Sequence, residues 1–370
     1  MIYIALYILL ALFALLDLLK NGNQVKPLVF WASVFLLIFI SSIRWNVGTD
    51  WYSYIEFFSN IQTYVAHPEL NMMERGFTYI NYFAASLNLG YTAMLSLMAI
   101  LMIGIKAKVT FEHRQIMMIS LFLYYCYFFA DIFGVRQSLA ISLTLYSVRF
   151  IIDKRFVPFL LVVLIASSIH ITAIFFIFSY WVYHIKYSPK LLYGVLLAAL
   201  LLGFMDIGGF AVDTALNIVG LDSRVGEKLK IYGSDGMDTA QGNPYIAFAV
   251  GVAKRALFLP LFISCQRFIS PLYQSRYTGY LNLLIFGNII YLLFMISLPV
   301  IARLSTGFLL FEIFILGYLV ITVQNKWLRM LAFLLVMLFG AFRLYNLIAV
   351  YWDLYIPFET IFAPSNVIRE

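Results

Sequence analysis

A chain of 370 residues that is 63% hydrophobic and only 12% charged cannot coat a water-soluble core, since soluble domains carry about 25% charged residues. Its mean hydropathy of +0.91 excludes a soluble enzyme, a nucleic-acid-binding module and a disordered chain. The net charge of +7 therefore reads as basic residues gathered in cytoplasmic loops, not as a surface for nucleic acid.

At about 20 residues per span, the apolar runs predict an all-α integral membrane protein. About 12 transmembrane helices are expected, forming a single transmembrane domain over residues 1–370. Barrel strands would instead alternate in ten-residue segments. Spans are expected near 2–19, 27–43, 90–105, 116–130, 133–150, 156–169, 171–185, 190–206, 245–264, 279–298, 301–323 and 328–346. Residues 1–19 lack a basic n-region and a small-residue cleavage site, so they are expected to stay as a first span. Cys126 and Cys265 lie inside apolar runs and offer no disulfide framework.

Short loops on one side carry Lys20 and Lys26, Lys106 to Arg114, Arg149 to Arg155, Lys186 and Lys190, Arg267 and Arg276, and Lys326 and Arg329. Each nets +2, whereas 206–244 nets −3 and 44–76 nets −2. The positive-inside rule then puts both termini and two long loops, about 44–89 and 207–244, on the outer side. Segment 72–89 is semi-apolar and suits an interfacial or re-entrant helix. Loops of such length are usually functional or hold short helices of their own. The first carries Trp45, Trp51 and Tyr54, which form either an aromatic belt at the bilayer interface or a wall for sugar and lipid.

Costly polar residues at the span borders are the functional candidates. Arg44 follows the second span. Glu74 opens Glu74-Arg-Gly-Phe77. Arg136 and Gln137 lie in the first turn of span 133–150, and His170 sits between two apolar halves. Arg303 lies in the first turn of 301–323 and Arg343 in the last turn of 328–346. All of them fall on the outer side in this topology. Taken singly, each Arg could be a snorkelling anchor, His170 a helix-turn residue and Asp50 a turn residue. Taken together they need partners or a ligand. Arg136 and Arg303 lie at helix N-termini, where free amides and the dipole favour an anion, and a guanidinium grips phosphate in a fork. No Asp-x-Asp metal pair, phosphate-binding Gly-rich loop or His-x3-His pair is present. The expected chemistry therefore uses no metal and no cofactor.

The stretch Arg44-Trp-Asn-Val-Gly-Thr-Asp50-Trp-Tyr-Ser-Tyr54 resembles the signature of the EpsG family. Glu74-Arg-Gly-Phe77, Arg136-Gln-Ser-Leu-Ala140 and Ser168-Ile-His170-Ile-Thr-Ala173 resemble three further blocks of that family in the same order. The resemblance implies a GT-C-like polytopic glycosyltransferase of the bacterial inner membrane, a Wzy-type polymerase of O-antigen or exopolysaccharide. Its substrates would be undecaprenyl pyrophosphate-linked oligosaccharides, its active site would face the periplasm, and a chain-length regulator is a candidate partner. In that reading Arg44, Arg136, Gln137, Arg303 and Arg343 bind pyrophosphate, and Asp50, Glu74 or His170 takes the acceptor proton. Trp45, Trp51 and Tyr54 then contact sugar or lipid. Rival readings are a flippase for lipid-linked sugars, an O-antigen ligase and a polysaccharide O-acetyltransferase.

Overall fold

The computed structural model describes residues 2–19, 24–207, 209–210, 214, 244–296 and 302–364. They form helices in the order α1 (Ile2–Ala14), α2 (Lys26–Ile43), α3 (Trp51–Ser59), α4 (Ile61–Ala66), α5 (Arg75–Ser86) and α6 (Tyr91–Phe111). There follow α7 (Met117–Tyr127), α8 (Phe129–Ile132), α9 (Arg136–Ile152), α10 (Phe156–Ile169), α11 (Ser179–Val182) and α12 (Pro189–Phe204). The last are α13 (Pro244–Cys265), α14 (Pro271–Phe294), α15 (Thr306–Leu309), α16 (Glu312–Thr322), α17 (Lys326–Val350) and α18 (Trp352–Tyr355). No strand is present among the described residues beyond isolated bridges of Thr360 with Arg44 and Ala363. Six of the described helical segments are long and apolar enough to cross a bilayer, and several shorter apolar helices accompany them. The protein is a membrane-embedded helical protein.

The chain divides into two compact units, residues 1–177 with 316–370, and residues 178–315. In the first, α9 packs on α10 and α6, α2 on α6, and α7 on α1 and α17. Every residue of α7 is buried, although its 11 residues reach only about 17 Å, short of a bilayer core. In the second unit α14 is the central element, contacted by α12, α13 and α15. Asn282 of α14 donates to the carbonyls of Val182, Tyr183 and Ile185, which closes the end of α11.

The expected outer loop 44–89 is helical for most of its length. It holds α3, α4, a single 3-10 turn at Pro68–Leu70 and α5. Helix α5 covers most of the semi-apolar segment 72–89 and shows the amphipathic pattern of an interfacial element: Phe77, Thr78, Asn81 and Ala84 face inward, Tyr79 and Phe83 outward. The other expected outer loop, 207–244, lies almost wholly outside the described residues, as does Lys20.

Several sequence expectations need correction. Lys106 is no loop residue: α6 runs on to Phe111, and Lys106 is buried 2.8 Å from Asp131. Lys26 is likewise buried, 2.9 Å from Asp17, and donates to the Arg114 carbonyl. These cations satisfy acids and carbonyls inside the bundle rather than marking a loop. The expected span 301–323 is present as the apolar segment Arg303–Thr322, made of a 3-10 turn at Arg303–Ser305, then α15 and α16. Helix α17 continues to Val350, so Arg343 lies nearly two turns before its end and not in the last turn.

Candidate functional site

The first unit brings the polar residues of four sequence blocks together. Helix α9 begins at Arg136, as its position after Gly134 suggests. Its Nη1 donates to Glu74 Oε2 at 2.8 Å and to Met73 Sδ at 2.7 Å. Glu74 is the residue before α5, and its other oxygen, Oε1, accepts the N–H of Ile171 at 3.0 Å. One carboxylate thus ties the start of α9 to the chain that leaves α10. Both side chains of the pair are only about one-fifth exposed, so this contact is stronger than a surface ion pair.

His170 caps the C-terminus of α10 in extended conformation, and its Nδ1 lies 2.6 Å from Thr172 Oγ1. Gly76 explains how α5 comes so near. A Cβ at this position would collide with the side chain and carbonyl of Ser168, so the Glu-Arg-Gly-Phe block docks on the Ser-Ile-His block only because residue 76 has no side chain.

Tyr54, one turn into α3 counted from Asp50, is buried against Phe77 with ring centroids 5.5 Å apart. The Arg136 guanidinium lies close to its hydroxyl. Burial pushes the Tyr54 phenol up to about 12, and the Arg136 charge opposes that shift, so Tyr54 keeps its proton at neutral pH. Asp50 is the N-cap residue of α3 and is exposed. Its charge is felt by Tyr54, Tyr91 and Tyr355. Gly48 supplies the left-handed φ of +105° that turns the chain between α2 and α3, a conformation suited to glycine.

Arg44 lies underneath this cluster rather than on its surface, only 2% exposed. Tyr91, Tyr355, Tyr3 and Tyr54 surround it, and its guanidinium sits 5.7 Å from the centre of the Phe133 ring. Burial pulls the guanidinium below its usual value and the tyrosine oxygens counter the pull. Its Nε and Nη1 have no acceptor among the described residues. The C-terminal segment straps this region down: Trp45 N–H donates to Glu359 O, Gly48 N–H to Leu354 O, and Ile361 N–H to Ile43 O. The strap includes the segment Tyr355 to Phe358. Its role here is to close the floor, with Tyr3 donating to the Tyr355 carbonyl at 2.9 Å.

The three aromatic candidates differ. Trp45 is half-buried and packs edge-on to Trp51 at 4.9 Å. Trp51 and Tyr54 are buried, and Trp51 also meets Tyr91. Gln137 is half-buried beside Arg136. Arg343 is half-buried and lies 5.3 Å over the Tyr127 ring, a cation–π contact within the first unit. Arg303 belongs to the second unit, where it is exposed in the 3-10 turn before α15. No group of three His, Cys, Asp or Glu side chains with metal-binding geometry occurs among the described residues.

The blocks that converge here are the ones whose spacing resembles a known family, and its profile, described as the EpsG family, matches residues 28–360. The chain belongs to the EpsG family. The match runs through the site from Arg44 to the Glu359 carbonyl that ties down Trp45, with Tyr3 and Ile361 outside it. No curated protein and no solved structure matches the chain.

Sequence reading missed a second set of charges. Lys254 and Arg255 stand in the middle of α13, and Glu312 opens α16. Lys254 Nζ lies 3.0 Å from Glu312 Oε2, and Arg255 stacks on the Tyr291 ring at 3.3 Å. These groups line a small cavity of the second unit with Asn288 and Phe262. The signal was available, since two adjacent cations inside an apolar 22-residue helix are costly in lipid and demand a partner.

Proposed function

We propose that this protein is a metal-independent glycosyltransferase that polymerises lipid-linked oligosaccharide repeat units into O-antigen or exopolysaccharide. Membership in the EpsG family points to a polysaccharide-polymerase type of membrane protein. The finer reading adds a GT-C-like architecture with about 12 spans, undecaprenyl pyrophosphate as the carrier, and a site on the periplasmic face of the bacterial inner membrane. A chain-length regulator is its proposed partner.

The observation that carries the reading is the Arg136–Glu74 pair at the start of α9, with Tyr54, Asp50 and His170 around it. A guanidinium at a helix N-terminus is suited to a pyrophosphate leaving group, because its planar fork and the free amides meet charge that grows as the glycosidic bond breaks. Gln137 extends this pyrophosphate role, and Arg303, exposed in the second unit, is assigned pyrophosphate binding on its own. Arg343, stacked on Tyr127, is assigned to it only if a lipid phosphate displaces that contact. Both oxygens of Glu74 are engaged by Arg136 and Ile171, so Glu74 is assigned to orienting Arg136. Asp50, exposed and with a carboxylate that makes no hydrogen bond or ion pair among the described residues, is assigned as the base that takes the acceptor proton. His170 would clamp a phosphate or sugar oxygen. Trp45 offers its half-exposed ring to sugar, while Trp51, Tyr54 and the buried Arg44 support that surface from beneath.

The polysaccharide of a strain lacking the gene tests the reading. Loss of a polymerase leaves single repeat units on the cell surface. Loss of a flippase leaves none, loss of a ligase leaves polymer unattached to its acceptor, and loss of an acetyltransferase leaves full-length unmodified chains. Any of the last three outcomes would replace the polymerase reading.

A further inference from the structure

We propose that Lys106 and Asp131 form a positioning pair that sets the place of Arg136, an inference that rests on the role given to Arg136 above. Four helices of the first unit meet at the Lys106 ammonium. Its Nζ lies 2.8 Å from Asp131 Oδ2 of α8, 2.9 Å from the Ser138 carbonyl and 2.7 Å from Ser142 Oγ of α9. Tyr124 of α7 donates its hydroxyl to the same Asp131 oxygen at 2.7 Å. Ser138 Oγ donates back to the Asp131 carbonyl at 2.8 Å. Lys106 itself comes from α6 and is 3% exposed.

The pair brackets one short piece of irregular chain. Helix α8 ends at Ile132, the backbone leaves the helical path through Phe133, Gly134 and Val135, and α9 begins at Arg136. Asp131 lies just before that elbow and Ser138 just after it. Gly134 sits in the bend, where a Cβ would come within 3.2 Å of Ser138 Cβ and 3.3 Å of the Asp131 carbonyl. Fixing Asp131 and Ser138 to one ammonium therefore fixes the direction in which α9 starts, and with it the Arg136 side chain two residues before Ser138. Glu74 receives that side chain from the opposite element at 2.8 Å.

Stability alone does not account for such a pair. Desolvating two charges offsets most of their attraction, and an apolar pair of similar volume holds a core about as well. What an apolar pair lacks is direction. The ammonium has three donors aimed at groups on both sides of the elbow, whereas two methyl-ended chains could slide past each other. Lys106 and Asp131 touch neither Glu74 nor Arg136 directly, so their effect is on geometry and not on the chemical step itself.

The test uses the full-length protein with Lys106→Met and Asp131→Asn combined, which removes both charges at nearly constant volume. Amide hydrogen exchange over residues 136–140 is expected to rise about tenfold while the rest of α9 stays protected. With lipid-linked repeat units, kcat for chain extension is expected to fall about 10- to 100-fold with a smaller change in KM, the scale of a displaced reacting group. Ser142→Ala, which takes one acceptor from Lys106 and leaves the fold intact, should shift both readouts the same way by about threefold. Wild-type exchange at 136–140 in either variant overturns the inference. So does raised exchange with unchanged kcat, or a loss of protection spread evenly over the whole unit, which would make the pair merely structural. If the wild-type protein itself extends no chains, the polymerase reading fails separately, and the exchange data still decide whether the pair holds the elbow.

Discussion

Arg136→Ala is expected to abolish chain extension while the protein still inserts and folds, and Arg136→Lys is expected to restore only part of the activity. Arg136 is the first residue of α9; it donates to Glu74 and Met73, and its charge acts on Tyr54. Lysine keeps the charge but loses the planar fork that spans two phosphate oxygens. Removing one charge-assisted contact in a water-poor site costs about 2–4 kcal/mol in the transition state, or about 30- to 1000-fold in rate. Glu74→Gln retains an acceptor for the Ile171 amide but loses the charge that orients Arg136, so its defect should be smaller than that of Arg136→Ala. The measurement is the ladder of polysaccharide chain lengths in a deletion strain carrying each variant, with membrane abundance checked alongside. If Arg136 only anchored α9 at the interface, lysine would substitute almost fully, because an anchor needs a long stem and a charge and nothing more.

The second large effect is expected in the other unit and on stability. Glu312 is buried, and its Oε2 meets Lys254 at 3.0 Å while Oε1 has no partner among the described residues. Glu312→Leu leaves Lys254 without this carboxylate, and Lys254→Leu strands a buried acid. Each single change is expected to cost about 3–5 kcal/mol. The double variant, which removes both charges, should recover to within about 1 kcal/mol of the wild type, because an apolar pair tolerates the same site. Thermal unfolding of the detergent-solubilised protein, read beside its membrane abundance, distinguishes these cases. Two single variants as stable as the wild type would show that the ion pair contributes nothing to holding α13 to α16.

The sequence made the helical membrane class legible through composition alone, and it made the site legible through short blocks. Arg136 at the start of a helix, His170 at the end of another and the helical content of 44–89 all follow from local signals: a glycine before the start, an apolar run that stops, an amphipathic period. What stayed hidden depends on contacts between distant segments. Lys106 and Asp131 are 25 residues apart and pair across two helices. A hydropathy window averages each charge into its apolar neighbours, and a count of loop charges took Lys106 for a loop residue. Lys254 and Glu312 were lost for the same reason. The break in 301–323 carries no proline within it, and the short α7 looks like any other apolar run, because its length is set by the turn into α8. The burial of Arg44 was also illegible: an arginine after a span predicts a surface anchor, and only the tyrosines from α1, α3, α6 and the C-terminal strap show that it is enclosed. Gly76 is the opposite case. Its place in the Glu-Arg-Gly-Phe block was readable, but its reason, the approach of Ser168, required the fold.

The most direct measurement is chain extension by the purified protein in lipid vesicles, supplied with undecaprenyl pyrophosphate-linked repeat units and no nucleotide, with and without EDTA. A ladder of products that grows by whole repeat units, equal in both conditions and lost in Arg136→Ala, is the predicted result. Lipid-linked units that cross the bilayer but never lengthen, or a ladder that stops with EDTA and resumes with magnesium or manganese, would contradict it.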